Sequence, residues 1–254
     1  MKRLDLPPLP PAANLAADEA LLDWCEAGHG DETLLFWEPR KTFVVVGYAN
    51  KVTTEVNVAA CEKMGVPIFR RCSGGGTVVQ MPGGLNYSLI LRITENSPTQ
   101  NITTANQFIM EKNRAALMEM VGRVTPCAPV GGQRTARPTI SVRGHTDLCL
   151  DNLKFAGNSQ RRRKNFLLFH GTLLLNCDLN LISNLLLMPS HQPDYRARRP
   201  HSDFVTNLNL PAETVKAALA NEWNAKTEFN DPPLDDINKL AQSKYSTREW
   251  NFKF

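Results

Sequence analysis

Val66-Pro67-Ile68-Phe69-Arg70-Arg71-Cys72-Ser73-Gly74-Gly75-Gly76-Thr77-Val78-Val79-Gln80 sets three consecutive glycines between two short runs rich in β-branched and apolar residues. Residues 66–69 and 77–80 read as strands. Successive glycines admit positive φ and leave backbone N–H groups unscreened by side chains. Such a loop can wrap an anion. Arg70, Arg71 and Ser73 add charge-assisted donors suited to a phosphate or a carboxylate. No Gly-Lys-Ser/Thr follows, which excludes a P-loop. The next element is β-like rather than helical, which excludes the dinucleotide fingerprint. Taken alone, the segment is read equally well as a turn that needs glycine for its geometry.

Upstream, residues 13–26 read as a helix, with Asn14 as cap and Leu15, Leu21, Leu22 and Trp24 on its apolar side. Residues 34–38 and 42–46 read as strands, the second ending at Gly47. Residues 57–64 read as a helix capped by Asn57. Downstream, residues 85–93 are expected to pair with 77–80 as a hairpin around Pro82-Gly83-Gly84. Residues 103–121 form the longest helical stretch, with Phe108, Ala115, Leu117, Met118 and Val121 on one face. A loop rich in Pro and Gly spans 126–138. Strands follow at 147–150, 153–155 and 166–175, with a basic turn at 161–164. A helix at 179–187 stops before Pro189, and 191–200 is a polar loop with three arginines. Helices close the chain at 212–224 and 234–244. Strands punctuated by helices without strict βαβ alternation predict an α+β fold, with a central mixed or antiparallel sheet flanked by helices. No linker is evident, so residues 1–254 are expected to form a single catalytic domain, helical from about 205, with no separate accessory domain.

Composition excludes several classes. With 42% hydrophobic and 21% charged residues, the chain can bury a core and does not read as disordered. No apolar run approaches the ~20 residues of a membrane span, and residues 1–11 lack the apolar stretch of a secretory signal. A cytoplasmic protein is expected. Six cysteines are scattered without a CxxC pair and away from the histidines, so they read as reduced thiols rather than a zinc site. Residues 123–164 hold nine Arg or Lys against two Asp, a surplus of +7, which leaves the remainder at −3. That asymmetry suits an anion or an acidic partner. Without aromatic interleaving it does not suit nucleic acid.

Two further segments carry chemistry. In Asp147-Leu148-Cys149-Leu150-Asp151-Asn152-Leu153-Lys154-Phe155-Ala156-Gly157-Asn158-Ser159-Gln160, a lysine on a strand among small residues can set its ammonium in a cleft. Asp147 can orient it or hold Mg²⁺. The plainer reading is a solvated strand lysine and a turn aspartate. In Phe169-His170-Gly171-Thr172-Leu173, backbone and hydroxyl can approach a ligand closely, or His170 can be a core histidine.

The order decides between these readings. Arg70-Arg71-x-Ser73-Gly74-Gly75-Gly76, Asn86-Tyr87-Ser88, Asp147-Leu148, Lys154-x-x-Gly157-Asn158-x-Gln160 and His170-Gly171-Thr172-Leu173-Leu174 together resemble the lipoate–protein ligase A family, within the wider group of biotin and lipoate ligases and lipoate-pathway acyltransferases. Asn14, Asp18-Glu19, Trp37 and Val45-Val46-Gly47 are similar to that family's N-terminal pattern, so the likeness spans most of 14–208. The resemblance implies an α+β catalytic domain that activates lipoate or octanoate with ATP and Mg²⁺. The acyl-AMP is then attacked by a lysine of an acceptor, a lipoyl domain of a 2-oxoacid dehydrogenase or the glycine cleavage H protein. It implies that Lys154 is the catalytic lysine and Asp147 the Mg²⁺ site. Arg70 would face the acyl chain and carboxyl end. Arg71, Ser73, Gly74, Gly75, Gly76, Thr77, Asn86, Gly157, Gln160, His170, Gly171 and Thr172 would border substrate or nucleotide. The basic segment would suit docking of an acidic acceptor domain.

The match departs from the pattern in two places. Gln80-Met81 stands where the ligases carry a His-Asp pair, and the sequence ends near where their accessory domain would begin, so a partner subunit is a candidate requirement. The rival within the group is an octanoyl or lipoyl transferase that works through a cysteine thioester. Its cysteine positions are not matched here: Ser190 stands in Met188-Pro189-Ser190, and Cys127 falls off the offset seen in the other transferase type. Cys149 and Cys177 read as core residues, and Cys72 lies beside the arginines. The expectation is therefore a ligase first, a transferase second, and a non-catalytic lipoyl- or nucleotide-binding subunit third.

Overall fold

The apolar and β-branched runs build two sheets, and the longer periodic segments build helices that cover them. The computed structural model describes residues 1–124 and 139–254; the loop expected at 126–138, with Cys127, lies outside the described residues. The elements in order are β1 (Lys2–Asp5), α1 (Pro11–Glu26), β2 (Thr33–Trp37), β3 (Phe43–Val46), α2 (Val52–Glu55), α3 (Val58–Met64), β4 (Ile68–Arg70), β5 (Val78–Gln80), β6 (Gly84–Arg92) and α4 (Ile102–Val124). They continue with β7 (Ile140–Arg143), β8 (Asp147–Leu150), β9 (Leu153–Arg162), β10 (Phe166–Leu174), α5 (Asn180–Leu185), α6 (His201–Phe204), α7 (Ala212–Glu222), β11 (Thr227–Glu228), α8 (Leu234–Leu240) and α9 (Arg248–Asn251).

Eight strands form one mixed sheet in the order β11-β1-β2-β6-β10-β9-β8-β7, and β4-β3-β5 form a second. In the large sheet β1 runs parallel to β2 and β11, while the ladders from β2 to β7 are antiparallel. The fold is α+β, as expected. Side chains alternate across each strand, so Leu34, Phe36, Tyr87, Leu89 and Phe169 meet α4 and α7 on one face. Leu35, Ile90 and Leu168 meet α1, α8 and the following turn on the other. The small sheet packs Val44, Val46 and Val79 against Cys61 of α3 and Leu185 of α5. Among the described residues no helix is long and apolar enough to cross a membrane.

Several local expectations change. Residues 77–80 and 85–93 do not form a hairpin. β5 pairs with β3, whereas β6 pairs with β2 and β10, so Pro82-Gly83 carries the chain from one sheet to the other. Gly83 makes that crossing at φ +87, and its carbonyl accepts from the amides of Leu175 and Asn176. α1 begins at Pro11, after Pro10 as N-cap. Proline suits the first turn because that N–H has no helical partner. Asn14 therefore lies inside the helix, donating to the Leu9 carbonyl. β9 is ten residues long, so Arg161 and Arg162 are strand residues and the basic turn is shorter than expected. Asn57 does cap α3, accepting from the Ala60 amide at 3.2 Å.

Candidate functional site

Strand register assembles the site. Trp37 stands opposite Asn86, Asn86 opposite Thr172, Thr172 opposite Gly157, and Gly157 opposite Asp147. This row crosses five strands, about 19 Å at the usual strand spacing. The neighbouring row reads Leu35, Ser88, His170 and Ser159. Both rows face the small sheet. A cleft of about 500 Å³ lies between, lined by Asn86, Gly157, His170 and Thr172 on one side and Val45, Val78, Val79 and Gln80 on the other.

Lys154 sits at the polar end of the row. A register shift between Leu148 and Cys149 sets Lys154 opposite Cys149 rather than on the regular ladder, and such bulges re-aim side chains. Its ammonium lies 2.7 Å from Asp147 Oδ1. Asp147 Oδ2 in turn accepts from the Tyr195 hydroxyl at 2.7 Å. The lysine crosses above Gly157, where a Cβ would stand 2.8 Å from Nζ; glycine is what lets it pass. His201, which also lines the cleft, is pulled down to about 4 by burial and by the cations of Arg196 and Lys154.

The glycine loop is held through its carbonyls. The Ser73 carbonyl accepts from the Tyr48 amide at 2.8 Å, and that of Gly75 from Asn50 Nδ2 at 3.2 Å. Arg71 donates to the carbonyls of Gly74 and Gly76, and Ser159 Oγ donates to Gly74 as well. The amides of Gly74, Gly75 and Gly76 find no acceptor among the described residues, and Gly75 and Gly76 border the cleft. Unpartnered amides in a loop held by the Arg71 guanidinium can form an anion or oxyanion cradle. Burial pulls the Arg71 guanidinium down to about 10, which leaves it a cation at neutral pH.

Behind the loop runs a buried relay. Asp18 accepts from Ser88 Oγ at 2.5 Å and holds His170 Nδ1 at 2.6 Å; His170 Nε2 meets Ser73 Oγ at 2.5 Å. A carboxylate only accepts, so His170 Nδ1–H donates to Asp18. In the cleft floor Gln80, Asn86 and Thr172 close a ring of hydrogen bonds of 2.6–2.9 Å.

Most residues expected at the site are therefore brought together. Lys154, Asp147, Arg71, Gly75, Gly76, Thr77, Asn86, Gly157, His170, Gly171 and Thr172 line the cleft. Gly74 lies on the exposed rim, and Ser73 is buried behind the loop. Two expected residues are not brought to the cleft. Arg70 does not face the acyl cleft: it is fully buried and donates to backbone carbonyls of Gly47, Tyr48, Asn50, Trp250 and Asn251. Gln160 points to the α4 side of the sheet, bonding Asn106 and Arg162. Asp147, expected to orient Lys154 or to hold Mg²⁺, meets the lysine directly. Both its oxygens are taken, by an ammonium and a phenol, and no group of three His, Cys, Asp or Glu able to hold a metal occurs among the described residues. That geometry suits Asp147 to orienting Lys154.

None of the five described cysteines lines the cleft. Burial pushes Cys25 and Cys72 up to about 12 and Cys177 to about 11, and raises Cys61 and Cys149. Ser190 donates to Glu55. The basic segment is less free than its charge suggests. Arg161 donates to the Cys72 carbonyl, Arg162 to those of Thr99 and Gln100, and Arg163 pairs with Asp23. Sequence reasoning gave no role to Asp18, Gln80, Tyr195 or His201. Asp18 belonged to a recognised pattern, Gln80 was noted only as a departure from the family's His-Asp pair, and Tyr195 and His201 carry no local signal.

Residues 10–223 match the family described as the lipoyl protein ligase A/B catalytic domain. The chain belongs to this family. Octanoyltransferase LipM of Anoxybacillus flavithermus is 29% identical, covering 96% of this chain and 94% of the relative. Octanoyltransferase LipM of Bacillus subtilis is 26% identical with the same coverage. Among solved structures, a bipartite lipoate–protein ligase of Thermoplasma acidophilum superposes with a TM-score of 0.77 at 21% identity, covering 99% of this chain and 96% of that one. Lipoate–protein ligase A bound with ATP gives 0.70 at 24% identity, covering 99% and 98%. These likenesses establish the lipoate-ligase fold for this member of the lipoyl protein ligase A/B family. The family's members among those relatives and structures are enzymes, and so is this chain; the relatives named as transferases favour the rival of the ligase reading.

Proposed function

We propose that this enzyme transfers an octanoyl or lipoyl group to a specific lysine of a lipoyl acceptor domain. The observation that carries the reading is the Lys154–Asp147 pair at one end of a largely apolar cleft, beside the unpartnered amides of Gly75 and Gly76. The acyl chain lies along Val45, Val78 and Val79, with its carbonyl at the lysine end. Attack by the acceptor amine forms a C–N bond and puts negative charge on the carbonyl oxygen. The Lys154 ammonium and the glycine amides stabilise that charge. Collapse breaks the bond to the leaving group, and the proton from the attacking nitrogen goes to solvent or to that group. The names of the relatives support an octanoyl donor, and the acceptors proposed are lipoyl domains of 2-oxoacid dehydrogenases or the glycine cleavage H protein.

Activation of lipoate or octanoate with ATP and Mg²⁺ is the second reading. It is favoured by one observation, that no described cysteine reaches the cleft to carry a thioester. For Mg²⁺, the donor set around Asp147 offers no free carboxylate, so no step is assigned to the ion. One experiment separates the readings. The purified protein is given octanoyl-carrier protein without ATP, and separately lipoate, ATP and Mg²⁺, each with an acceptor domain. Acylated acceptor in the first arm supports the transferase. Pyrophosphate release in the second arm alone overturns it in favour of the ligase. A hydroxylamine-labile mass adduct on the protein identifies a thioester route. Inactivity in both arms returns the protein to a binding or accessory role.

A further inference from the structure

We propose that α9, which lies outside the part of the chain matching the family, is a positioning element of the site: through Arg70 it fixes the turn that carries the glycine loop. Arg70 is fully buried, yet no carboxylate among the described residues pairs with it. A buried cation without a counter-charge persists only where its donors are satisfied. Its donors divide between two segments far apart in sequence. Nη1 donates to the carbonyls of Gly47, Tyr48 and Asn50 at 2.8–2.9 Å. Nε and Nη2 donate to Trp250 and Asn251 at 3.1 Å. The backbone of Arg70 is held from the same side: its amide donates to Asn251 Oδ1 at 2.9 Å, and its carbonyl accepts from Trp250 Nε1 at 2.8 Å.

The turn gripped on the other side is the one that grips the glycine loop. Tyr48 donates its amide to the Ser73 carbonyl and Asn50 its side-chain amide to Gly75, while Gly47 packs so close to the Gly75 carbonyl that a Cβ there would overlap it. The chain of contacts therefore runs from α9 through Arg70 and residues 47–50 to the amides at the cleft. Asn251 is itself buried and anchored, donating to the Tyr245 carbonyl at 2.9 Å. Removing Asn251's side chain leaves the Arg70 amide without its acceptor and loosens the bracket, and the loop amides lose their aim.

The kinetic part of the test rests on the acyl-transfer reading, and the exchange part does not. Asn251→Ala is compared with the wild type by hydrogen–deuterium exchange at Tyr48, Asn50 and Arg71, whose amides are bonded across the turn, and by steady-state acyl transfer. Exchange at these amides is expected to rise about tenfold, the scale of one lost buried hydrogen bond, while the strands of the large sheet exchange as before. The kcat is expected to fall about tenfold with a smaller change in KM, because the amides act on charge that develops in the transition state. Trp250→Phe, which keeps an aromatic side chain and removes the indole bond to the Arg70 carbonyl, provides a second variant where Asn251→Ala does not fold. Phe252→Ala, an exposed side chain that packs with Arg248, should change neither reading. Wild-type exchange at Tyr48, Asn50 and Arg71 in the folded variants, or an equal acceleration throughout the molecule, overturns the proposal. A wild type that transfers no acyl group rejects the function instead and leaves the exchange result to decide the bracket.

Discussion

Lys154, Asp147 and Tyr195 form the smallest unit on which the proposed chemistry would rest. Lys154→Ala is expected to lower acyl transfer by about 10²–10³-fold, the scale of a lost oxyanion donor. The melting temperature should change little, because the pair is partly exposed and such pairs contribute little stability. Unchanged transfer by that variant would remove the lysine from the mechanism. Tyr195→Phe keeps the ring beside Phe204, 5.3 Å away, and removes the hydrogen bond to Asp147. A roughly tenfold fall in kcat is expected. In an Asp147→Asn background the same change should have little further effect, since Tyr195 acts through that carboxylate. His201 makes a pH prediction. Its folded-state value of about 4 lies below the unbound 6.5. Between those values the unfolded chain binds a proton that the folded chain does not, so stability falls as pH drops through the window and levels off below it. The expected loss is about 3 kcal/mol, and His201→Gln should flatten that part of a urea-midpoint profile against pH. Sequence could show Lys154 only by its order with other motifs. Tyr195 and His201 sit on a polar segment whose place over the cleft is set by tertiary contacts. Arg70 and Arg71 are adjacent and chemically identical, but a strand turns them to opposite sides, and only the fold says which one meets the cleft.

At the scale of elements, legibility follows the strength of the local signal. Asn57 capped its helix because a side-chain oxygen meets a nearby free amide, a purely local event. The hairpin at 77–93 failed because turn residues report a change of direction and not which strand is joined next. β1 was not read at all: its four residues precede a proline-rich stretch and earn their place only by pairing with β2 and β11. The turn at 47–50 shows the same limit from the functional side. Gly47 reads as the end of a strand, yet its absent side chain is what allows the glycine loop to pack against it. Gly47→Ala is expected to cut acyl transfer at least tenfold through displacement of the loop, with a smaller effect on unfolding, since the loop is partly exposed. Full activity in a folded Gly47→Ala protein would show that the contact is not needed.

At the scale of the whole molecule, the two ends of the chain are built into the elements that carry the site. β1 lies between β2 and β11, and α1 packs against α8 while sending Asp18 to His170. Tyr245 and Lys244 both bond Glu19 of α1, and α9 holds Arg70. The helical portion from about 205 thus shares its buried surface with the catalytic sheets: Leu219 and Trp223 enter the first core, and Ile237 and Tyr245 the second. A part that contributes to both cores cannot unfold without exposing them, so unfolding of the described portions is expected to be cooperative. The four tryptophans sample the fold well, with Trp37 in the cleft, Trp223 in the first core, and Trp24 and Trp250 at opposite ends of the chain. Urea unfolding followed by tryptophan fluorescence and by far-ultraviolet circular dichroism should give coincident curves. An early fluorescence transition with helix content retained would instead mark the C-terminal portion as a separate unit, and the bracket on Arg70 would then open before the sheets do.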